Sequence, residues 1–146
     1  MQGLKRKVVY VTLYELIAIV CSTWALAAMS GHGLGDSGGV AVAASCIAVA
    51  WNLVFNTLFE AWEARQRVRG RSVARRVAHA IGFEGGLIAA LVPLIAWWFD
   101  ISLLQALLLD LGLVVFFLIY TFVFNWGFDR VFGLPASAMG DPVRGV

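Results

Sequence analysis

The chain has 146 residues, of which 61% are hydrophobic and 14% are charged, and its formal net charge at pH 7 is +2. An ordinary soluble domain is about 45–50% apolar and about 25% charged, and a soluble protein of this size would leave large apolar patches exposed to water. The composition therefore excludes a soluble globular domain and indicates an integral membrane protein.

Four apolar stretches follow one another along the chain. A helix needs about 20 apolar residues to cross the hydrocarbon core of a bilayer, and four segments qualify, at about 8–29, 40–62, 76–99 and 103–128. The first two are separated by 30–39, which contains five glycines and is expected to be non-helical. The last two are separated by a tight turn at 100–102. The sequence thus predicts an all-α membrane protein with four transmembrane helices.

Lysine and arginine are confined to three regions: 5–7, 65–76, and positions 130 and 144. The connections 30–39 and 100–102 contain neither residue. Because basic residues accumulate on the cytoplasmic side of a membrane, we predict that both termini lie inside (N-in/C-in) in a bacterial inner membrane. The same rule explains the arginine-rich central connection, so no nucleic-acid partner is predicted.

The chain contains an internal repeat. KRKVVYVTLYE (5–15) aligns with ARRVAHAIGFE (74–84), and the same constant shift aligns WNLVFNTLFE (51–60) with YTFVFNWGFD (120–129). A constant shift without gaps indicates a tandem duplication. It predicts a first helix pair in 1–69 and a second in 70–146, joined in one compact bundle and related by an axis along the membrane normal.

Glu15 and Glu84 are equivalent under this shift, and each lies in an apolar span. Each follows a basic residue by eight positions, which places it about 12 Å into the bilayer. An ionised carboxylate deep in a membrane costs ~2.5–3.5 kcal/mol, so such an acid favours binding a proton or a cation. We predict that Glu15, Glu84 and the unrepeated Asp110 couple proton binding to substrate binding. The alternative for each is a protonated acid that joins helices by a hydrogen bond.

The second and fourth spans carry amide side chains at helical spacing with aromatic residues beside them, and residues spaced in this way share a face. An amide beside aromatic rings and near a carboxylate suits an organic cation, through cation–π and charge contacts. The alternative is that the amides satisfy polar groups in the core. The predicted substrate-binding residues are Tyr14, Trp51, Asn52, Phe55, Asn56, Tyr120 and Asn125.

Other polar residues have two interpretations each. His79 is predicted to be either a proton relay or a hydrogen-bonded packing residue. Glu60 and Asp129, at the ends of their spans, are expected to pair with Arg65 and Arg130 or to face water. Small residues recur every fourth position in the third span, which predicts close packing either inside the bundle or in a dimer.

Several function classes lack a sequence signal. The two histidines are far apart and have no cysteine near them, so no metal site is predicted. No glycine-rich nucleotide loop and no Ser/His/Asp set is present, so the sequence predicts neither a cofactor nor an enzyme.

Three motifs together resemble a known family: RVAHAIGFEGG (76–86), WNLVFNTLFE (51–60) and YTFVFNWGFD (120–129). They are similar to the bacterial transmembrane pair domain of the proteobacterial antimicrobial compound efflux family, also called the chlorhexidine efflux transporters. The resemblance implies proton-coupled export of cationic biocides and dyes, with short diamines as physiological substrates. It also implies that Glu15 is the acid linked to both proton and substrate.

The first repeat departs from the family motif, because Lys7 and Tyr10 stand where arginine and histidine are usual. This removes the histidine that a first-repeat proton relay would use and leaves Glu15 in place. We predict a proton-coupled multidrug efflux antiporter whose partners are cationic hydrophobic molecules, protons and the lipid bilayer, assembled as a homodimer or small homo-oligomer. The alternative is a non-transporting structural or regulatory membrane subunit.

Overall fold

The computed structural model describes residues 3–67, 70 and 72–134. Within them the chain forms four helices: α1 (Gly3–Ser30), α2 (Leu34–Ala64), α3 (Val73–Phe99) and α4 (Leu103–Phe132). Each is long and apolar enough to cross a membrane, so the predicted fold class is confirmed. Three residues of the basic regions lie outside the described residues, namely Arg69, Arg71 and Arg144.

Each helix packs against two neighbours, in the cyclic order α1, α2, α3, α4 and back to α1. We call the end of the bundle that holds the α1–α2 and α3–α4 turns the hairpin end. The opposite end, which holds the start of α1, the α2–α3 connection and the end of α4, is the terminal end. As a result, α1 of the first repeat contacts α4 of the second, and α2 contacts α3.

The connection between α1 and α2 is shorter than predicted. α2 begins at Leu34, after the extended N-cap Gly33, so the expectation of a non-helical segment through 39 was wrong. Packing explains why glycine is tolerated in this first part of the helix. A Cβ on Gly39 would come 2.5 Å from Cζ2 of Trp98, so the glycine allows α3 to approach α2 closely. A helix also satisfies the backbone hydrogen bonds that a bilayer cannot.

The predicted turn between α3 and α4 is present and is well capped. Asp100 adopts a left-handed conformation (φ 51°), and its backbone N–H donates to the Ala96 carbonyl. The Ser102 hydroxyl accepts from the Gln105 N–H, while the Gln105 side chain accepts from the Ser102 N–H. This reciprocal capping box fixes the start of α4.

All four helices contribute to a buried apolar core near the hairpin end, which consists of Leu26, Val40, Ala41, Leu91, Val92, Ile95, Phe99, Ala106 and Leu113. Large apolar side chains elsewhere point outward; Leu53, for example, is 70% exposed and Ile119 62% exposed. An outer surface of this kind is suited to contact with lipid rather than water. The core closes the bundle at the hairpin end.

The small residues of α3 pack inside the bundle. A Cβ on Gly82 would lie 2.9 Å from Cζ of Phe55, and one on Gly86 would overlap the ring of Trp51. Both glycines therefore accommodate aromatic side chains of α2. Of the two interpretations of the small-residue pattern, the structure supports packing within the chain for these two positions.

Candidate functional site

A partly open cavity of about 790 Å³ lies between the apolar core and the terminal end, lined by residues of all four helices. The three acids predicted from the sequence meet there: Glu15 on α1, Glu84 on α3 and Asp110 on α4. The other polar lining residues are Tyr14, Ser22, Ser45, Asn52, Thr121 and Asn125, and the rest of the wall is apolar. Among the described residues, no lysine, arginine or histidine lines this cavity.

Glu15 has a hydrogen-bond partner on the neighbouring helix. The Ser45 hydroxyl of α2 donates to Oε2 of Glu15 at 2.5 Å. Sequence reasoning missed Ser45, because the repeat aligns it with Val114 and therefore does not mark it. Its position seven residues before Asn52 places it on the same helical face, and this spacing was the available signal.

Glu84 and Asp110, on the adjacent helices α3 and α4, also line the cavity. Asp110 is only 3% exposed, lines the cavity, and interacts electrostatically with Glu84. The structure gives Asp110 no hydrogen-bond partner within the described part of the chain. Under the repeat it aligns with Ala41, so the first repeat has no equivalent acid.

The three predicted asparagines have different surroundings. Asn52 and Asn125 line the cavity. Asn56 does not; its Nδ2 donates to the Asn52 carbonyl at 2.8 Å, and its Oδ1 lies 2.7 Å from Nε2 of His79. Oδ1 of Asn125 accepts from the Tyr10 hydroxyl at 2.6 Å.

The Tyr10–Asn125 and His79–Asn56 pairs are equivalent under the internal repeat. Tyr10 therefore occupies the position of His79 and bonds to the corresponding amide. The rings around them correspond as well: Tyr10 packs edge-on against Phe124 and Phe128, as His79 does against Phe55 and Phe59. His79 is thus surrounded by aromatic rings and an amide and is not among the residues that line the cavity.

A second pair of equivalent bonds holds the segments that carry the glutamates. Nε1 of Trp51 donates to the Phe83 carbonyl at 2.9 Å, and the Tyr120 hydroxyl donates to the Tyr14 carbonyl at 2.7 Å. Phe83 and Tyr14 immediately precede Glu84 and Glu15. Each donor thus joins the second helix of one repeat to the turn of its neighbour that bears a cavity acid.

The seven predicted substrate-binding residues therefore divide into two groups. Tyr14, Asn52 and Asn125 line the cavity, and the Tyr14 hydroxyl is 2.8 Å from Oγ1 of Thr121. The remaining four contact neighbouring helices and are not among its lining residues: Trp51, Phe55, Asn56 and Tyr120.

At the terminal end Arg6 joins α1 to the end of α4. It forms a 2.6 Å ion pair with Asp129 and donates to the Gly133 carbonyl at 2.6 Å. The expected Asp129–Arg130 pair is therefore wrong; Arg130 instead stacks on Trp126 at 5.6 Å. No sequence pattern indicated the Arg6 partner, because the pair forms only when α1 packs against α4.

Arg75 is the repeat equivalent of Arg6 and has different contacts. It donates to the Gly70 carbonyl at 2.9 Å and lies 5.8 Å from the ring of Trp62. The equivalent of Asp129 is Glu60, and the structure contains no Arg75–Glu60 ion pair among the described residues. The α2–α3 interface therefore lacks the ion pair that ties α1 to α4.

The chain is similar to known transport proteins over most of its length. The family model described as chlorhexidine efflux transporter (BTP) matches residues 2–65 and again 71–134, and the two matches coincide with the two halves of the duplication. A short-chain diamines transporter of Vibrio parahaemolyticus is 40% identical over 86% of this chain and 89% of its own length. Proteins of the same description from Acinetobacter baylyi and Acinetobacter baumannii are 37% and 36% identical over 87% of the chain. No solved structure matches the chain.

These matches cover nearly all of the described helices, and they indicate a transporter that handles small molecules rather than an enzyme. Together with four membrane-length helices and an acidic cavity, they identify a multi-pass membrane transporter that belongs to the chlorhexidine efflux transporter family.

Proposed function

We propose that this chain exports organic cations in exchange for protons, and that the cavity carboxyl groups bind the two alternately. The observation that supports this most directly is the charge of the cavity: three acids line it, and none of the basic side chains that the structure describes does. An ionised carboxylate removed from water and without a partner is unfavourable by several kcal/mol. Each acid therefore requires either a proton or a cation from solution.

This requirement provides a simple basis for coupling. A carboxyl group that has bound a proton no longer attracts an ammonium group, so proton and cation compete for the same oxygen atoms. Competition becomes transport when the bundle alternates between two facing states and the ligand binds one of them more tightly. Glu15, whose carboxylate already accepts the Ser45 hydroxyl, is the proposed principal exchange site.

The cavity also suits a particular class of ligand. Its volume of about 790 Å³ lies within the range of about 300–1,000 Å³ that is typical of small-molecule sites. Its wall is largely apolar, with a few amide and hydroxyl groups. The curated relatives are described as short-chain diamines transporters, and we propose short diamines and larger amphipathic cations of the chlorhexidine type as substrates.

Three further residues complete the proposed binding site, namely Tyr14, Asn52 and Asn125, because each lines the cavity. We assign a positioning role to Trp51 and Tyr120, which hydrogen-bond the carbonyls that precede Glu84 and Glu15. Phe55, Asn56 and His79 are proposed to maintain the α2–α3 interface.

We propose an N-in/C-in orientation in the bacterial inner membrane, from the distribution of lysine and arginine. Export then begins when deprotonated Glu15 binds a cation from the cytoplasm or the inner leaflet. Protonation from the outside releases the cation, and the proton is carried inward. We also propose a homodimer or small homo-oligomer, which mass measurement of the solubilised protein tests.

The test is transport in proteoliposomes under an imposed pH gradient, with the wild type, Glu15→Gln and Asp36→Asn. Asp36 is an exposed acid in the first turn of α2, outside the cavity, and its variant controls for loss of a carboxylate as such. We expect Glu15→Gln to reduce proton-driven cation transport by about 30-fold or more, since loss of one partner of a desolvated charge pair costs ~2–5 kcal/mol. Undiminished transport by Glu15→Gln would contradict the proposal and would favour a structural or regulatory role for the acid.

A further inference from the structure

Asp110 stands out among the cavity acids. It is buried with only 3% of its surface exposed, it lines the cavity, and it accepts no hydrogen bond within the described residues. The charged groups that face the cavity are Glu15 from α1 and Glu84 from α3, while α2 contributes only neutral lining residues. Asp110 is therefore a buried acid that no charge of opposite sign in the described cavity lining compensates.

The acids occupy two levels along the bundle. Glu15 lies as many residues before the end of α1 (Ser30) as Glu84 lies before the end of α3 (Phe99). The two glutamates therefore lie at the same distance from the hairpin end, which we call one level. Asp110 lies much closer to the hairpin end, since it falls about two helical turns after the start of α4. At about 1.5 Å per helical residue, Asp110 thus lies about 12 Å nearer the hairpin end, measured between backbone positions.

The wall between these two levels is mostly apolar, and its polar groups are the hydroxyls of Ser22 and Ser45. Each helix contributes small or aliphatic lining residues that fall between them along the axis, among them Ala18, Ala44, Leu87 and Leu113. A mostly apolar wall with a carboxylate at either end is complementary to a short methylene chain with an ammonium group at either end. Methylene groups pack favourably against such a wall, and each ammonium group requires its own carboxylate.

We propose that Asp110 binds the second ammonium group of a dication whose first ammonium group is held at Glu15, and that Asp110 thereby sets the preference for diamines over monoamines. This inference rests on the proposed function, because it assumes that the cavity binds the transported cation. Glu84, at the level of Glu15 and within electrostatic reach of Asp110, strengthens the negative potential between the two subsites. A monoamine uses only the Glu15 subsite.

The test is calorimetric binding of diaminobutane and butylamine to the full chain in lipid nanodiscs, with the wild type, Asp110→Asn, Asp110→Glu and the exposed control Asp36→Asn. We expect Asp110→Asn to weaken diaminobutane binding by about tenfold or more, as expected when one of two buried charge contacts is lost. Butylamine binding should change by less than about twofold. Asp110→Glu, which keeps the charge, should retain a preference for the diamine.

The butylamine measurement shows whether the variants fold, since it depends on the unaltered Glu15 subsite. Equal losses for both amines in Asp110→Asn, or no loss for either, would overturn the assignment of Asp110. Failure of the wild type to bind either amine would overturn the proposed function itself, and the inference with it.

Discussion

Apart from the Arg6–Asp129 ion pair, the two repeats retain equivalent contacts at their helix interfaces, and they differ in the acids that they present to the cavity. Tyr10–Asn125 corresponds to His79–Asn56, even though tyrosine has replaced histidine. By contrast, Glu15 bonds to Ser45, whereas its counterpart Glu84 lines the cavity together with a second acid of its own repeat, Asp110. The interface hydrogen bonds are thus equivalent in the two repeats. The cavity acids are not equivalent, because the first repeat contributes Glu15 alone and the second contributes Glu84 and Asp110.

The two interfaces can also be compared by the side-chain volumes at their facing positions. Trp51 on α2 is opposite Gly86 on α3, whereas the equivalent positions in the other interface are Tyr120 and Ile17. The larger aromatic residue thus accompanies the smaller partner, and the smaller aromatic residue accompanies the larger one. Both interfaces keep an aromatic donor to the carbonyl before the glutamate.

The largest expected effect on stability follows from this difference in side-chain volume between the two interfaces. Gly86→Ile introduces the residue that the first repeat has at this position, and it collides with the Trp51 ring. We expect a loss of ~1–3 kcal/mol in unfolding free energy, as is typical of overpacking, measured as a lower melting temperature in detergent.

Two variants test the cause of that loss. Adding Trp51→Tyr to the Gly86→Ile variant should recover part of the stability, since the double variant reproduces the residue pair of the other interface. Gly85→Ile is the matched control, because a Cβ there meets nothing within 4 Å among the described residues, and it should cost much less. Equal losses for Gly86→Ile and Gly85→Ile would contradict this account of the interface.

At the terminal end, we expect a smaller difference between equivalent substitutions in the free energy of unfolding. Arg6→Ala removes the ion pair to Asp129 and two bonds to carbonyls at the end of α4, and should lower the free energy of unfolding by about 1–2 kcal/mol. Arg75→Ala, at the equivalent position of the other repeat, should cost less than about 0.5 kcal/mol. Thermal melts of both variants in the same detergent provide the measurement. A loss for Arg75→Ala as large as that for Arg6→Ala would show that the two interfaces are held alike.

The smallest expected effect is on the affinity of the cavity for a cation. Ser45→Ala removes the hydrogen bond that supports ionised Glu15, so a bound cation should lose affinity by about three- to tenfold, equivalent to ~1 kcal/mol. Ser37→Ala is the control, because Ser37 is a buried serine of the same helix whose hydroxyl has no hydrogen-bond partner in the described part of the chain. Titration of a cation into each variant at fixed pH measures the difference. Identical affinities in the two variants would rule out a role for Ser45.

Much of the fold could be predicted from the sequence, because the length of each hydrophobic span and the constant repeat shift both depend on many residues together. The start of α2 could not be predicted. The low helix propensity of glycine favoured a loop there, whereas the packing of Gly39 against Trp98 favours the helix. The sequence placed Glu15, Glu84 and Asp110 on three helices, but only the packing of those helices brings them into one cavity. The Arg6–Asp129 pair joins opposite ends of the chain, and no local pattern marks a contact of that kind.

The central claim is that the cavity carboxyl groups exchange a proton for a cation. Its most direct test is proton release during binding, measured by calorimetric titration of diaminobutane into the wild type in buffers of different ionisation enthalpy. We expect binding to release protons at some pH between about 5 and 8, and the release to fall in Glu15→Gln. Cation binding with no proton release anywhere in that range, or with a release unchanged in Glu15→Gln, would contradict the account.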